Sequence, residues 1–143
     1  MSTITHTGRA ASVTLRRVRR AAWLALTLLL AAFAIFEGAK YGFATAAAAV
    51  FFFVLPDLTM LIGAGDIARS GSHEPGRFSP RAVPYYNAMH RAWVPLLVLV
   101  AYTVSPLAWP PLFTAALGWL THIAMDRAAG YGLRTPEGYR KDV

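Results

Sequence analysis

The stretch FATAAAAVFFFVLPDLTMLIGA, Phe43 to Ala64, decides how the rest of the chain reads. It runs for 22 residues with one charge, Asp57, and a hydrocarbon layer requires roughly 20 apolar residues of helix. A membrane span is therefore the first expectation. On its C-terminal side, residues 65–80 are rich in Gly, Ser, Pro and charge and read as a solvated loop, with His73 an ordinary member of it. On its N-terminal side, residues 1–20 contain five Arg and no acid and lead into the apolar run Ala21 to Phe36. Ala32 and Ala34 would suit a signal-peptidase site, but the run exceeds a usual signal core and a second apolar segment follows at once. A retained helix is expected there.

Further along, the strictly apolar stretches Ala92 to Val104 and Leu112 to Met125 are short. They reach spanning length only if a third helix begins after Pro84 and a fourth runs to about Ala129. Between them Ser105 to Pro111 is a tight uncharged turn whose Trp109 suits a membrane interface. The expected fold is thus all-α, a polytopic membrane protein with four transmembrane helices. Its spans are about 21–40, 43–64, 85–104 and 111–129, between basic tails at 1–20 and 130–143. Thirteen of the fourteen Lys and Arg fall on one side of this arrangement, leaving only Lys40 opposite. The positive-inside rule makes that side cytoplasmic, so both termini are expected inside and the location is the inner (plasma) membrane.

Composition agrees. The chain of 143 residues is 56% hydrophobic, enough for one domain in contact with lipid. A net charge of +7 would suggest nucleic acid in a soluble protein, but here the basic residues flank apolar runs. The bilayer is the expected partner, and nucleic acid is not. Cysteine is absent, which excludes disulfides, thiolate metal sites and cysteine nucleophiles.

The polar residues inside the expected spans carry the functional signal. A carboxylate facing lipid costs about 2.5 to 3.5 kcal/mol on insertion scales, so Asp57 must face protein or water. Pro56 beside it removes a backbone donor and should kink the helix. His122 and Asp126 lie one turn apart on one face of helix four, and Asn87 and His90 have an i, i+3 relation at the start of helix three. Helices two and four run toward the cytoplasm and helix three starts there, so all five side chains gather in one leaflet. Taken singly, each residue reads more readily as hydrogen-bonding glue between helices. The convergence of the set favours a site, with Asp57, His90, His122 and Asp126 as ligands for a divalent metal, zinc or manganese first. Arg91 and Arg127 follow two of these ligands and are expected to snorkel to headgroups or to clamp an anion at the site mouth.

The motifs Pro56-Asp57-Leu58-Thr59-Met60-Leu61, Tyr86-Asn87 with His90, and Trp119 to Arg127 followed by Gly130-Tyr131-Gly132-Leu133 resemble a small bacterial membrane family, domain of unknown function 4260. The resemblance extends over about residues 43–140 and implies fold and location without an activity. The basic tail and the 65–80 loop look longer than its pattern requires. More distantly, Pro56-Asp57, His90 and Gly118 with His122 and Asp126 are similar to the membrane-bound metal-dependent hydrolases, although the usual surroundings of that family's His are reduced to His90-Arg91. That resemblance implies metal ligation, catalytic roles for Asp57 and Asp126 with Asn87, Arg91, Arg127 and Tyr131 in support, and hydrolysis of a phosphoester or lipid-like substrate, with an anionic lipid or other phosphate compound as the partner. Two other readings stay open: a non-enzymatic membrane scaffold or partner subunit, and a bis-histidine haem protein using His90 and His122.

Overall fold

The computed structural model describes residues 3–70 and 74–141, and His73 lies outside them. Helix α1, Thr3–Tyr41, is continuous for 39 residues, so part of the expected tail and the first expected span form one rod. It ends at Gly42, whose φ of +90° reverses the chain without the strain a side chain would bring. Helix α2, Phe43–Leu58, carries Pro56 buried in its last turn. Beyond it the α-helix tightens to one 3-10 turn, Thr59–Leu61, where the Thr59 hydroxyl donates to the Pro56 carbonyl at 2.5 Å. Ile62 is extended and Gly63 turns at φ +81°, so the helix is interrupted near the end of the second expected span, within an apolar stretch that runs from Phe43 to Asp66. Helix α3, Ala64–Ser70, then occupies ground expected to be loop.

The third expected helix, 85–104, is instead two helices, α4 Val83–Met89 and α5 Trp93–Val104. Pro95 supplies the reason. It has no N–H, and its ring would collide with the carbonyl of Arg91 in an unbroken helix. As third residue of a restarted helix it sits where no intrahelical donor is needed. The break falls at His90 to Ala92.

Helix α6, Pro110–Ala129, opens on two prolines and closes on Gly130 in the left-handed region at φ +85°. It is the central element, buried almost continuously from Thr114 to Ala124. Helix α1 crosses it antiparallel, with Phe33 edge-to-face on Phe113 and the Arg20 guanidinium against Gly130. Helix α2 runs parallel to it in a fixed register. The Thr114 hydroxyl donates to the Thr45 carbonyl at 3.0 Å across an offset of 69 residues. The same offset sets Gly118 against the Ala49 backbone and the His122 ring against Phe53, centroids 5.4 Å apart. Small residues at the first two levels let the backbones close, which brings the next two levels together.

The burial pattern is inverted relative to a water-soluble bundle. Thr27, Thr45, Thr114, Thr121, His90 and His122 are inside, while Leu28, Leu29, Ile35, Phe36, Val50 and Phe51 lie outside. Two helical stretches, Ala11–Tyr41 and Phe43–Asp66, are long and apolar enough to cross a membrane, and most of each faces outward. The C-terminal segment after Gly130 folds back as a small hairpin, with a single bridge between Arg134 and Arg140. The Asn87 side chain holds it by a paired contact: its Oδ1 accepts from Arg134 N at 2.7 Å and its Nδ2 donates to the Arg134 carbonyl at 2.9 Å.

Candidate metal centre

The two imidazoles are placed by different devices. His90 caps α4 at the helix break and is fully buried. Its Nδ1 faces the Tyr86 carbonyl at 2.8 Å. A carbonyl only accepts, so Nδ1 holds the proton and Nε2 presents a lone pair. Stacking on the Tyr86 ring, at a centroid distance of 3.7 Å, fixes the plane. The break exposes two carbonyls, and both find donors: the Trp119 indole reaches Met89 O at 2.6 Å and Arg127 Nη2 reaches His90 O at 3.1 Å. His122 projects from the buried face of α6, braced edge-on by Phe53.

The two Nε2 atoms lie 3.2 Å apart. Around them stand two carboxylates. Asp57 Oδ1 is 3.5 Å from His122 Nε2 and 3.8 Å from His90 Nε2. Asp126 Oδ2 is 3.3 Å from His90 Nε2 and 3.8 Å from His122 Nε2. The Asp126 side chain is mostly enclosed at 14% exposure, whereas that of Asp57 is half open at 48%. The cluster is therefore sealed on the α6 side and accessible beside α2.

These spacings distinguish two explanations. Charge-assisted hydrogen bonds between imidazole and carboxylate close to about 2.7 to 2.9 Å, and the shortest approach here is 3.3 Å. Ligands on a tetrahedral ion with bonds of about 2.0 to 2.1 Å stand about 3.3 Å from one another. Five of the six separations among the four groups are 3.2 to 3.8 Å, which matches ligands gathered around a centre better than carboxylates bonded to imidazoles, and the three whose ligand atoms all lie close to one another are Asp57, His90 and His122. Charge leads the same way. With both imidazoles neutral the four groups carry two negative charges, and a divalent cation neutralises them where two imidazolium N–H groups facing each other would repel. Asp57, His90 and His122 each offer a ligand atom within 4.8 Å of the others, so the side chains present fit a metal ion. The bis-histidine haem reading is not better supported, since the two Nε2 atoms lie 3.2 Å apart with two carboxylates beside them.

The expected supporting residues divide. Asn87 belongs to the tail clamp rather than to the cluster. Arg127 donates to the carbonyls of Tyr131, at 2.9 Å, and His90, at 3.1 Å, and so ties the end of α6 to the helix break. Tyr131 contributes that carbonyl while its exposed ring lies 5.4 Å from the Arg140 guanidinium. Arg91 is exposed at the break. Sequence reasoning left out Trp119 as a tether, Tyr86 as the platform under His90, and Arg134, which is buried over the Phe78 ring at 3.8 Å and donates to the Gly76 carbonyl at 2.8 Å. A signal for the first two was present, since both stand in motifs that also carry a site histidine.

His90, His122 and Asp126, with their tethers, all come from the C-terminal half of the chain. Residues 78–142 match the family described as Domain of unknown function (DUF4260). The resemblance read from the motifs stands over that stretch, and α1 and α2, with Asp57, lie outside it. No curated protein and no solved structure matches the chain.

Proposed function

We propose that the protein is a four-span membrane protein with both termini cytoplasmic, and that its Asp57, His90, His122 and Asp126 hold a divalent ion, zinc or manganese, which serves hydrolysis of a phosphoester or lipid-like substrate. The observation that carries the reading is the cluster spacing, longer between imidazole and carboxylate than charge-assisted hydrogen bonds and close to the edge of a metal coordination shell. The membrane arrangement is supported by the apolar exterior and by where the charges lie. Arg20, Arg127, Arg134 and Arg140 cluster at the end of the bundle where α6 finishes, and Lys40 lies at the α1–α2 turn at the other end. In this arrangement α4 and α5 form one broken span, at whose interruption His90 is buried and the carbonyls of Met89 and His90 are satisfied by Trp119 and Arg127.

A bound divalent ion would supply Lewis acidity, acidifying water and polarising a phosphoryl or acyl oxygen. The protein's own groups then divide the remaining work. His90 and His122 fix position through rings locked by Tyr86 and Phe53. Asp126 stays enclosed as a charge-balancing ligand, and Asp57, half open, is the group able to meet an incoming substrate and accept a proton from water. The test is turnover of a chromogenic phosphodiester and of radiolabelled phospholipid by purified protein loaded with zinc or manganese. Metal-dependent hydrolysis lost in Asp57→Ala is expected. Full metal occupancy with no turnover on either substrate would reduce the centre to a structural one.

A further inference from the structure

Helices α1 and α2, joined through the single residue Gly42, do not close on each other along their whole length. Gly38 meets Ala46 near the turn, but below that level the helices diverge around an apolar groove of about 500 Å³. Its floor is Gly118 and Thr121 of α6 with Ala34 of α1, all buried, and its rim is Ile35, Ala39 and Val50, all exposed. The groove opens along the outside of the bundle between these exposed apolar residues. In a bilayer it would be filled by hydrocarbon.

Two features point to a particular occupant. The groove ends at Phe53 and Thr121, and Phe53 is the ring against His122 while Thr121 is its chain neighbour, so the lining is continuous with the cluster. The order along the bundle axis is also that of an amphiphile. Asp57 lies one turn beyond Phe53 toward the basic end, and the groove runs from there to Gly38 and Ala39, at least 10 Å toward the opposite end at 1.5 Å per residue, roughly the length of a half-extended acyl chain. We infer that the groove holds one acyl chain of a membrane phospholipid whose phosphate-bearing head lies at the Asp57–His90–His122–Asp126 cluster. The inference rests on the metal-site reading and adds the substrate class: a single-chain or single-chain-engaged glycerophospholipid, with Ala31, near the cluster, and Ala39, at the far end, setting the chain length accepted.

The test uses the full chain, purified in detergent, with lauroyl- and palmitoyl-lysophosphatidylglycerol as probes and native mass spectrometry as readout. Wild type should retain one lysolipid and prefer the palmitoyl form. Ala39→Leu fills the far end and should weaken palmitoyl binding by about threefold or more, the scale of one methylene group displaced from an apolar site, while leaving the lauroyl form unchanged. Ala31→Leu should weaken both. Leu28→Phe, on the outer face of α1, should change neither. Metal content measured on the same samples keeps the two ideas apart: normal metal with no chain-length response in Ala31→Leu and Ala39→Leu overturns the groove assignment alone. Absent metal in wild type overturns the metal reading whatever the lipid result. Equal loss of lipid in Leu28→Phe and Ala39→Leu would show an annular lipid only and also overturn the assignment.

Discussion

Gly118 is where one added methyl group should disable the cluster without touching it. A Cβ at this position would collide with the Ala49 carbonyl oxygen and lie 2.9 Å from the carbonyl carbon and 3.0 Å from Cα. Ordinary contact begins near 3.4 Å, and all three atoms are backbone, so no side chain can swing aside. Gly118→Ala therefore requires α2 to recede from α6 by roughly 1 Å, and overpacking of this kind costs about 1 to 3 kcal/mol. Because the helices are parallel in one register, the recession carries to the next levels, and Asp57 Oδ1 moves from 3.5 Å toward about 4.5 Å from His122 Nε2. At that distance both cannot bind one ion with bonds of about 2.1 Å in tetrahedral geometry. Metal affinity should fall by about 10- to 100-fold, as for other changes that misplace a ligand, while His90, His122 and Asp126 remain in place. The assay is a competition titration with a fluorescent zinc chelator, alongside a thermal unfolding curve. Unchanged zinc affinity in a Gly118→Ala protein that is itself destabilised would show that the α2–α6 register does not position the ligands, and the argument from register would fail.

Other consequences are more local. His122→Ala or Asp57→Ala should abolish bound metal, whereas Met125→Leu, on a more exposed face of α6, should retain it, as read by elemental analysis. Since protons compete for the imidazole and carboxylate lone pairs, zinc should dissociate progressively as pH is lowered, with more than one proton taken up per ion released in a calorimetric titration. Asn87→Ala removes both bonds to Arg134, worth about 1 to 3 kcal/mol together, and should make the C-terminal hairpin cleavable by trypsin at Arg134 and Arg140 under conditions where wild type resists. At the exposed end of that hairpin, the Glu74 carboxylate accepts from the Tyr139 hydroxyl at 2.7 Å and holds the phenol above its usual ionisation. That contact is present below the ordinary phenol range and is lost as pH rises through the raised value, so an ultraviolet titration should show Tyr139 ionising earlier in Glu74→Ala.

The helical class and the meeting of four polar residues were legible because they depend on counting. Spacing of i, i+4 put His122 and Asp126 on one face, and alternation of span direction brought Asp57 and His90 to the same level. The helix break at His90 is masked by the apolar run Ala92 to Val104, which reads as continuous helix, although Pro95 is compatible with a restart there. Without the break His90 would be one more residue in a helix rather than a cap whose carbonyl Arg127 can reach. The contacts of Asn87 and Arg127 are not legible for a related reason: they satisfy backbone groups at the helix break and in the segment that folds back after Gly130. Nothing local to residues 130–141 says where that hairpin docks. The groove was hidden in the same way, since the Ala run 46–49 signals close packing and does not show where two helices diverge.

The central claim is that four side chains surround a metal ion, and elemental analysis of protein purified in detergent without chelator tests it most directly. About one equivalent of zinc or manganese per chain is predicted, falling to background in His90→Ala and His122→Ala, with a rise in unfolding temperature when stripped protein is reloaded. Wild-type protein that retains well under one equivalent and gains no thermal stability from added zinc, manganese or iron would contradict the account, leaving the cluster as a set of contacts between helices.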